Sequence, residues 1–273
     1  MFIRKLSEVS AFVAVDFPDV AGKGNIRLAK KILQGGAKDL ARSFSYSLAC
    51  LELQETGISA GISSLPEDRK EAIEGFVAEV SGWGIDYTFQ VGKGVDKGEV
   101  SGLEDTSNDE TLFFGAVLAA MTAFPEARTA VTDLEDPTLL EAELKKVNVD
   151  LVVSESPFTA EADLLFVGKA MRVLGHEIVP NIQAKVVVPT TRLAVTTRGL
   201  AHCVTKEIIV LPDFITVAGD LMGDNVNSLM ESLINEILNH PEGPVLGACY
   251  KAESYLSTWC PELPFGRPFK SSK

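Results

Sequence analysis

The chain is poor in the residues that build reactive or metal-holding centres, with 4 cysteines, 3 histidines and 2 tryptophans in 273 residues. Structural zinc needs closely spaced ligand pairs. Cys50, Cys203, Cys249 and Cys260 lie far apart, and the nearest approach to a pair is His202 beside Cys203. Adjacent residues on a helix point in different directions, so these cysteines read as buried or half-buried thiols. Basic residues are also scarce: 25 Lys and Arg against 38 Asp and Glu leave a net charge of −13. That balance argues against nucleic acid and anionic membranes as partners, and favours solubility. No apolar run nears the ~20 residues that span a bilayer. The start, MFIRKLSEVSAFV, has neither a signal-peptide core nor a cleavage pattern. A cytoplasmic location is the expectation. GxSxG, HExxH and the phosphate-loop pattern GxxxxGK(S/T) are absent as well.

What is present suits a core-forming chain, with 46% hydrophobic residues and length enough for one large domain or two ordinary ones. Residues 10–16 read as a strand. Gly22 and Gly24 read as a glycine-rich turn carrying Lys23 and Arg27, followed by a basic helix from Ile26 to Ala49. Gly35-Gly36 marks an expected break before the main helix at Ala37. A strand over Ile58–Ser63 and a helix opened by Pro66 follow. Tyr87–Val91 is a strand candidate running into GKGVDKG. Gly92, Gly94 and Gly98 suit a dinucleotide loop or a plain glycine turn. Such a loop must open a helix, and the loop-like EVSGLEDTSNDE that follows favours the plain turn. Asn108–Ala123 reads as a nearly all-apolar helix.

From Arg128 the pattern alternates between strand and helix. TAVTDL and VDLVVS are expected strands around the helix LLEAELKKV. AEADLLFVGKAMRVLG is an expected helix, and HEIVP, KVVVP and EIIVLP are expected strands with a helix at 191–203. Ile215–Leu238 reads as a long helix with an irregularity at Gly219–Gly223, and a short helical patch is expected near Cys249–Trp259. Alternation of this kind predicts a parallel sheet covered by helices. TAVTDLEDPTLL offers an aspartate-rich turn, which would repel a pyrophosphate. From the residues alone, Lys23 and Arg27 could form an anion or carboxylate site, but a solvated loop and helix start is the preferred reading. The bottom-up reading stops at a soluble α/β protein.

Several segments, in order, resemble the glutamate/leucine/phenylalanine/valine dehydrogenase family. KGNIR (Lys23–Arg27) is similar to its KGGIR turn, and RSFSYSLACLELQETGISAGI (Arg42–Ile62) to RGMTYKNALAGLPxGGGKGGI. Tyr87-Thr88 with GKGVDKGEV falls at its YxTAxDVGT segment, and TLFFGAVLAAMTA resembles TAYGVxxGMKAA. KVVVPTTRLAVTT lies at KIIAEGANGPTT, and IVLPDFITVAGDLMG resembles VVPDxxANAGGV. The resemblance implies an α/β fold of two domains. One is a substrate domain over 1–123, completed by 240–273; the other is a shortened Rossmann-like parallel-sheet domain over 124–239.

The departures bear on activity. The family uses one lysine on the substrate carboxylate, a second twelve residues on to polarise the carbonyl, and an aspartate for proton transfer. Those positions hold Ser47, Ser59, and Gln90 or Val91. The family's two asparagines fall near Leu193 and on Val217, and its GxGxxG loop and first nucleotide-domain strand are read as deleted. Lys23, Gly24, Arg27, Asp213 and Gly219 survive. The resemblance thus implies a pseudoenzyme with no cofactor. It would bind a small amino or keto acid through Lys23, Arg27, Ser47, Ser59 and Gln90, or serve as a subunit of a homo- or hetero-oligomer beside an active paralogue. The alternative is an active, divergent NAD- or NADP-dependent oxidoreductase acting on amino acids.

Overall fold

Every second residue of GKGNIRLA (Gly22–Ala29) is buried, the period of a strand with one well-covered face. The computed structural model describes residues 1–104 and 108–260 and divides into two compact units. One comprises Met1–Ser107 with the chain from Ala252 onward, the other Asn108–Lys251. In the first unit Phe2–Lys5 (β1), Ala11–Val15 (β2), Gly22–Ala29 (β3), Thr56–Ser63 (β4) and Tyr87–Val91 (β5) form a sheet. Its order is β1-β2-β4-β3-β5, with β1, β2 and β4 antiparallel in turn and β3 parallel to both neighbours.

The expected glycine turn at Gly22 and Gly24 is therefore a strand, and a central one. Its glycines face Ile58 and Tyr87, where a side chain would collide with the neighbouring strands. Composition mimics a turn here because close strand packing and tight turning both select glycine. The helix expected from Ile26 begins later, at Gln34, and runs to Cys50 (α1). Gly35 and Gly36 sit inside its first turn with open space around them, so they end nothing. A second helix, Arg69–Ser81 (α2), follows the 3-10 turn that Pro66 opens.

The helices cover opposite faces. Ile73, Phe76 and Val80 of α2 join Ile26, Ile58, Ile62 and Phe89 in one apolar cluster. Ala37 and Ala41 of α1 meet Phe12 and Ala14 on the other side. α1 lies very close to β4: a Cβ on Gly57 would stand 1.9 Å from the Ala41 carbonyl oxygen and 2.4 Å from the Ser45 nitrogen. Gly57→Ala is expected to push α1 off the sheet and lower stability by about 1–3 kcal/mol, read as a shift in urea midpoint. A wild-type midpoint in that variant would contradict this packing.

The second unit is a parallel sheet. Asp109–Ala123 (α3), capped by the Asn108 side chain, precedes the strands. Thr129–Thr132 (β6) leads through Thr138–Lys146 (α4) to Asp150–Leu151 (β7). Leu164–Val167 (β8) and Val186–Pro189 (β9) follow, then Thr197–Thr205 (α5) and Ile209–Val210 (β10). The order β10-β9-β8-β6-β7 puts β6 inside the sheet, with the chain going one way to β7 and the other way to β8. β6, the first strand after α3, therefore lies at the point where the chain changes direction across the sheet.

Three further expectations fail here. Residues 160–175 are strand β8 and loop where a helix was expected. All four residues of β8 are fully buried between β6 and β9. A strand covered on both faces loses its alternation and cannot be told from a buried helix by period. HEIVP is a turn leading into the 3-10 segment Val179–Asn181, with no strand. The long helix over 215–238 is three pieces, Asp213–Thr216 (α6), Gly219–Met222 (α7) and Val226–Leu238 (α8), with an unexpected break at 217–218 and a second at the expected irregularity, where Gly223 has φ +55°. A last helix, Pro244–Leu256 (α9), takes in part of the expected Cys249–Trp259 patch. Expectations that fall on 105–107 and on 261–273 lie outside the described residues.

Candidate functional site

Register alone assembles a polar row in the first unit. Asn25 of β3 pairs with Ser59 of β4 on one side and with Gln90 of β5 on the other. Lys23 and Arg27 flank Asn25 at two residues either way, so all three side chains leave the same face of β3. This is the face opposite the α2 cluster. The two cations stand about 13 Å apart along the strand, four residues at the strand rise. Val91 pairs with Ile26 and belongs to the apolar face. Of the two positions aligned with the family aspartate, Gln90 is the one in the row.

Each group in the row has a definable state. The buried Ser59 hydroxyl donates to Asn25 Oδ1 at 2.8 Å. Lys23 makes a 3.7 Å ion pair with Glu55, both half-exposed. Arg27 is half-buried, its Nε is buried with no hydrogen-bond partner among the described residues, and burial lowers its pKa. Ser47 is carried elsewhere: it is buried in α1 and donates to the Ser43 carbonyl at 3.3 Å. Its helix neighbour Ser45 accepts from the Gly57 amide at 2.9 Å, tying α1 to β4. Within 43–47 it is Ser45 that makes the helix-to-sheet contact.

Sequence reasoning missed Asn25. The K-G-N-I-R alternation would have revealed it, had the segment been read as a strand.

The second unit has polar groups at the carboxyl ends of its strands. The turn after β6 is Asp133-Leu134-Glu135-Asp136-Pro137, without the glycines that let backbone amides cradle a pyrophosphate. Asp133 Oδ1 accepts from the Gly168 and Lys169 amides at 2.7 and 3.1 Å, joining the ends of β6 and β8. Gly168 makes this approach possible, since a Cβ there would lie 2.5 Å from Leu134 Cδ2 in the turn after β6. Beyond β9 the buried Arg192 faces the charges of Asp220 and Asp213, and burial brings its pKa down to about 10. The Asp213 carboxylate accepts from the Leu193 amide, whose φ is +59°, and burial pushes its pKa up. Retention of Asp213 is thus accounted for by backbone geometry.

The four cysteines form no disulfide. Burial pushes the Cys203 and Cys260 thiols up to about 11, which leaves them poor nucleophiles. Among the described residues no His, Cys, Asp or Glu group could hold a metal, and no helix is long and apolar enough to cross a membrane.

No protein-family model matches the chain, and no curated protein matches it by sequence. Solved structures do. The L-tryptophan dehydrogenase of Nostoc punctiforme is similar at TM-score 0.72 and 14% identity, over 94% of this chain and 95% of that one. The hetero-hexameric glutamate dehydrogenase of Thermus thermophilus, in a leucine-bound form, gives TM-score 0.74 and 14% identity over 91% and 84%. A Plasmodium falciparum glutamate dehydrogenase gives 0.72 and 12% over 92% and 79%. Identity this low speaks to architecture and not to chemistry. The chain carries, over most of its length, the two-part α/β fold of the amino-acid dehydrogenases, with a Rossmann-like parallel sheet in its second half.

Proposed function

We propose that this protein is a catalytically degenerate relative of the amino-acid dehydrogenases that binds a small amino or keto acid without transferring hydride. The observation that carries the reading is the pair of serines at the two lysine positions. Ser47 and Ser59 donate their hydrogen bonds inside the protein, to Ser43 O and Asn25 Oδ1. A neutral hydroxyl engaged in this way supplies no fixed positive charge to a developing alkoxide. Losing one such stabilising group from a transition state costs ~2.7–4 kcal/mol. Lys23 and Arg27 remain as the carboxylate-binding groups, with Asn25, Ser59 and Gln90 offering neutral hydrogen bonds between them. The ligand is then an acid held at its ends.

The protein works in the cytoplasm as a homo- or hetero-oligomer, and a regulatory or structural place beside an active paralogue fits the same residues. The hetero-hexameric assembly named for the Thermus enzyme supports that choice. The second reading is an active NAD- or NADP-dependent oxidoreductase of divergent mechanism. It is favoured by the cavity at the carboxyl ends of β6, β7 and β8, where doubly wound sheets take their ligands.

Thermal unfolding separates the two, because a ligand of the native state raises the melting point by mass action. A rise with amino or keto acids and none with NAD(H) or NADP(H) is the expected result. A rise with a dinucleotide would overturn the degenerate reading. No response to any of these, with another dehydrogenase-like chain co-purifying, would move the assignment from binder to subunit.

A further inference from the structure

We propose that the cavity at the carboxyl ends of β6, β7 and β8 binds a small organic cation, an amine or guanidine with an apolar body. The cavity measures about 580 Å³ and is walled by the turns after those strands and by the 177–181 segment. That size falls in the range of small-molecule sites, ~300–1,000 Å³. Asp133, Glu135, Glu155 and Glu177 line it against a single cation, Lys169. Lys169 is itself held by Glu135 at 3.1 Å, which leaves the surplus of carboxylates unbalanced.

An acidic rim alone would be a solvated surface. Asp133 makes the difference. It is only 9% exposed, its Oδ1 is fixed by two backbone amides, and its Oδ2 is buried with no hydrogen-bond partner among the described residues. A buried carboxylate oxygen without a donor is costly, and an ammonium or guanidinium N–H satisfies it. Phe158, Pro157, Leu134 and Ile178 supply apolar wall for the rest of the ligand.

A hard metal ion fits less well. Calcium takes 6–8 oxygen ligands, one oxygen of Asp133 is already committed to amides, and no metal-holding group exists among the described residues. A pyrophosphate would face Asp133, Glu135, Glu155 and Glu177 against Lys169, which Glu135 already holds.

The site shares no residue with the polar row of the first unit, so its test is independent of the function proposed above. Calorimetric titration of the whole protein uses agmatine and spermidine as probes, with Mg2+ and NAD+ as competitors. Wild-type protein should bind agmatine or spermidine, and neither competitor should displace it. Asp133→Asn keeps an oxygen for the Gly168 and Lys169 amides but removes the charge, and should weaken binding by about tenfold or more. Glu155→Gln, in the turn after β7, should weaken it several-fold and guards against misfolding of the first variant. Lys70→Ala, on the exposed side of α2, should leave it unchanged. Absence of binding by both probes, unchanged affinity in Asp133→Asn and Glu155→Gln, or displacement by Mg2+ or NAD+ would overturn the proposal.

Discussion

Arg42→Ala is expected to cost about 3–5 kcal/mol of stability, the usual penalty for removing one partner of a buried ion pair. Asp16 follows β2 and is fully buried, and Arg42 of α1 reaches it with two guanidinium nitrogens. Arg42 also lies 5.9 Å over the Phe17 ring, which packs edge-on against Trp259 at 5.6 Å. Without the guanidinium, Asp16 would be left charged in a site closed to water. Removing both charges should be milder than removing one: Arg42→Met with Asp16→Ala ought to recover part of the loss. The two tryptophans, Trp83 and Trp259, both belong to the first unit. Their fluorescence during urea unfolding therefore reports this unit by itself. A midpoint for Arg42→Ala equal to wild type would show that the pair contributes nothing.

The second large effect concerns the serines. Ser47→Lys with Ser59→Lys puts lysine at the two positions that the sequence resemblance aligns with the family lysines, yet no NAD- or NADP-dependent turnover of amino acids is expected. Both sites are fully buried, and Ser59 stands between Gly57 and Gly61 on the face that α1 approaches. Lysine there adds volume to a packed layer, at about 1–3 kcal/mol per site, before the cost of burying charge. The expected outcome is a protein markedly less stable than wild type. The turn after β6 also still presents Asp133 and Glu135 where a pyrophosphate would need amides. Measurable turnover in the double variant, followed as absorbance of the reduced nicotinamide, would show that a substrate site and a cofactor site are both intact. A folded variant of wild-type stability would show that the layer has room the packing does not suggest.

The two serines illustrate how a likeness in sequence and a fold differ in what they reveal. Sequence pairs Ser47 and Ser59 as one constellation, twelve residues apart. The structure gives them separate partners, one on its own helix and one on a neighbouring strand. Ser59 instead joins Asn25 and Gln90, which are distant in sequence and adjacent only through β3 pairing with β4 and β5.

Unaided by structure, the residues determined a good deal. Scarce cysteine and histidine, surplus acid and the absence of long apolar runs set the class. Periodicity placed the strands at 10–16, 58–63 and 87–91 and the helices after Pro66 and Asn108. The strand at 87–91 and the helix after Pro66 have one covered face and the Asn108 helix a clear cap, while 10–16 and 58–63, buried on both faces, were legible as short apolar runs between turn residues. What the tertiary structure decided was wherever covering was complete or unusually close. Gly22 and Gly24 look like a turn until Ile58 and Tyr87 are packed against them. Leu164–Val167 looks helical until neighbours bury both its faces. Asp133 reads as one acid in an acidic turn, and only the meeting of β6 with β8 leaves one of its oxygens buried and unanswered. Local sequence encodes which surface a segment must hide. What hides it, and what polar group is stranded in the process, depends on residues far along the chain.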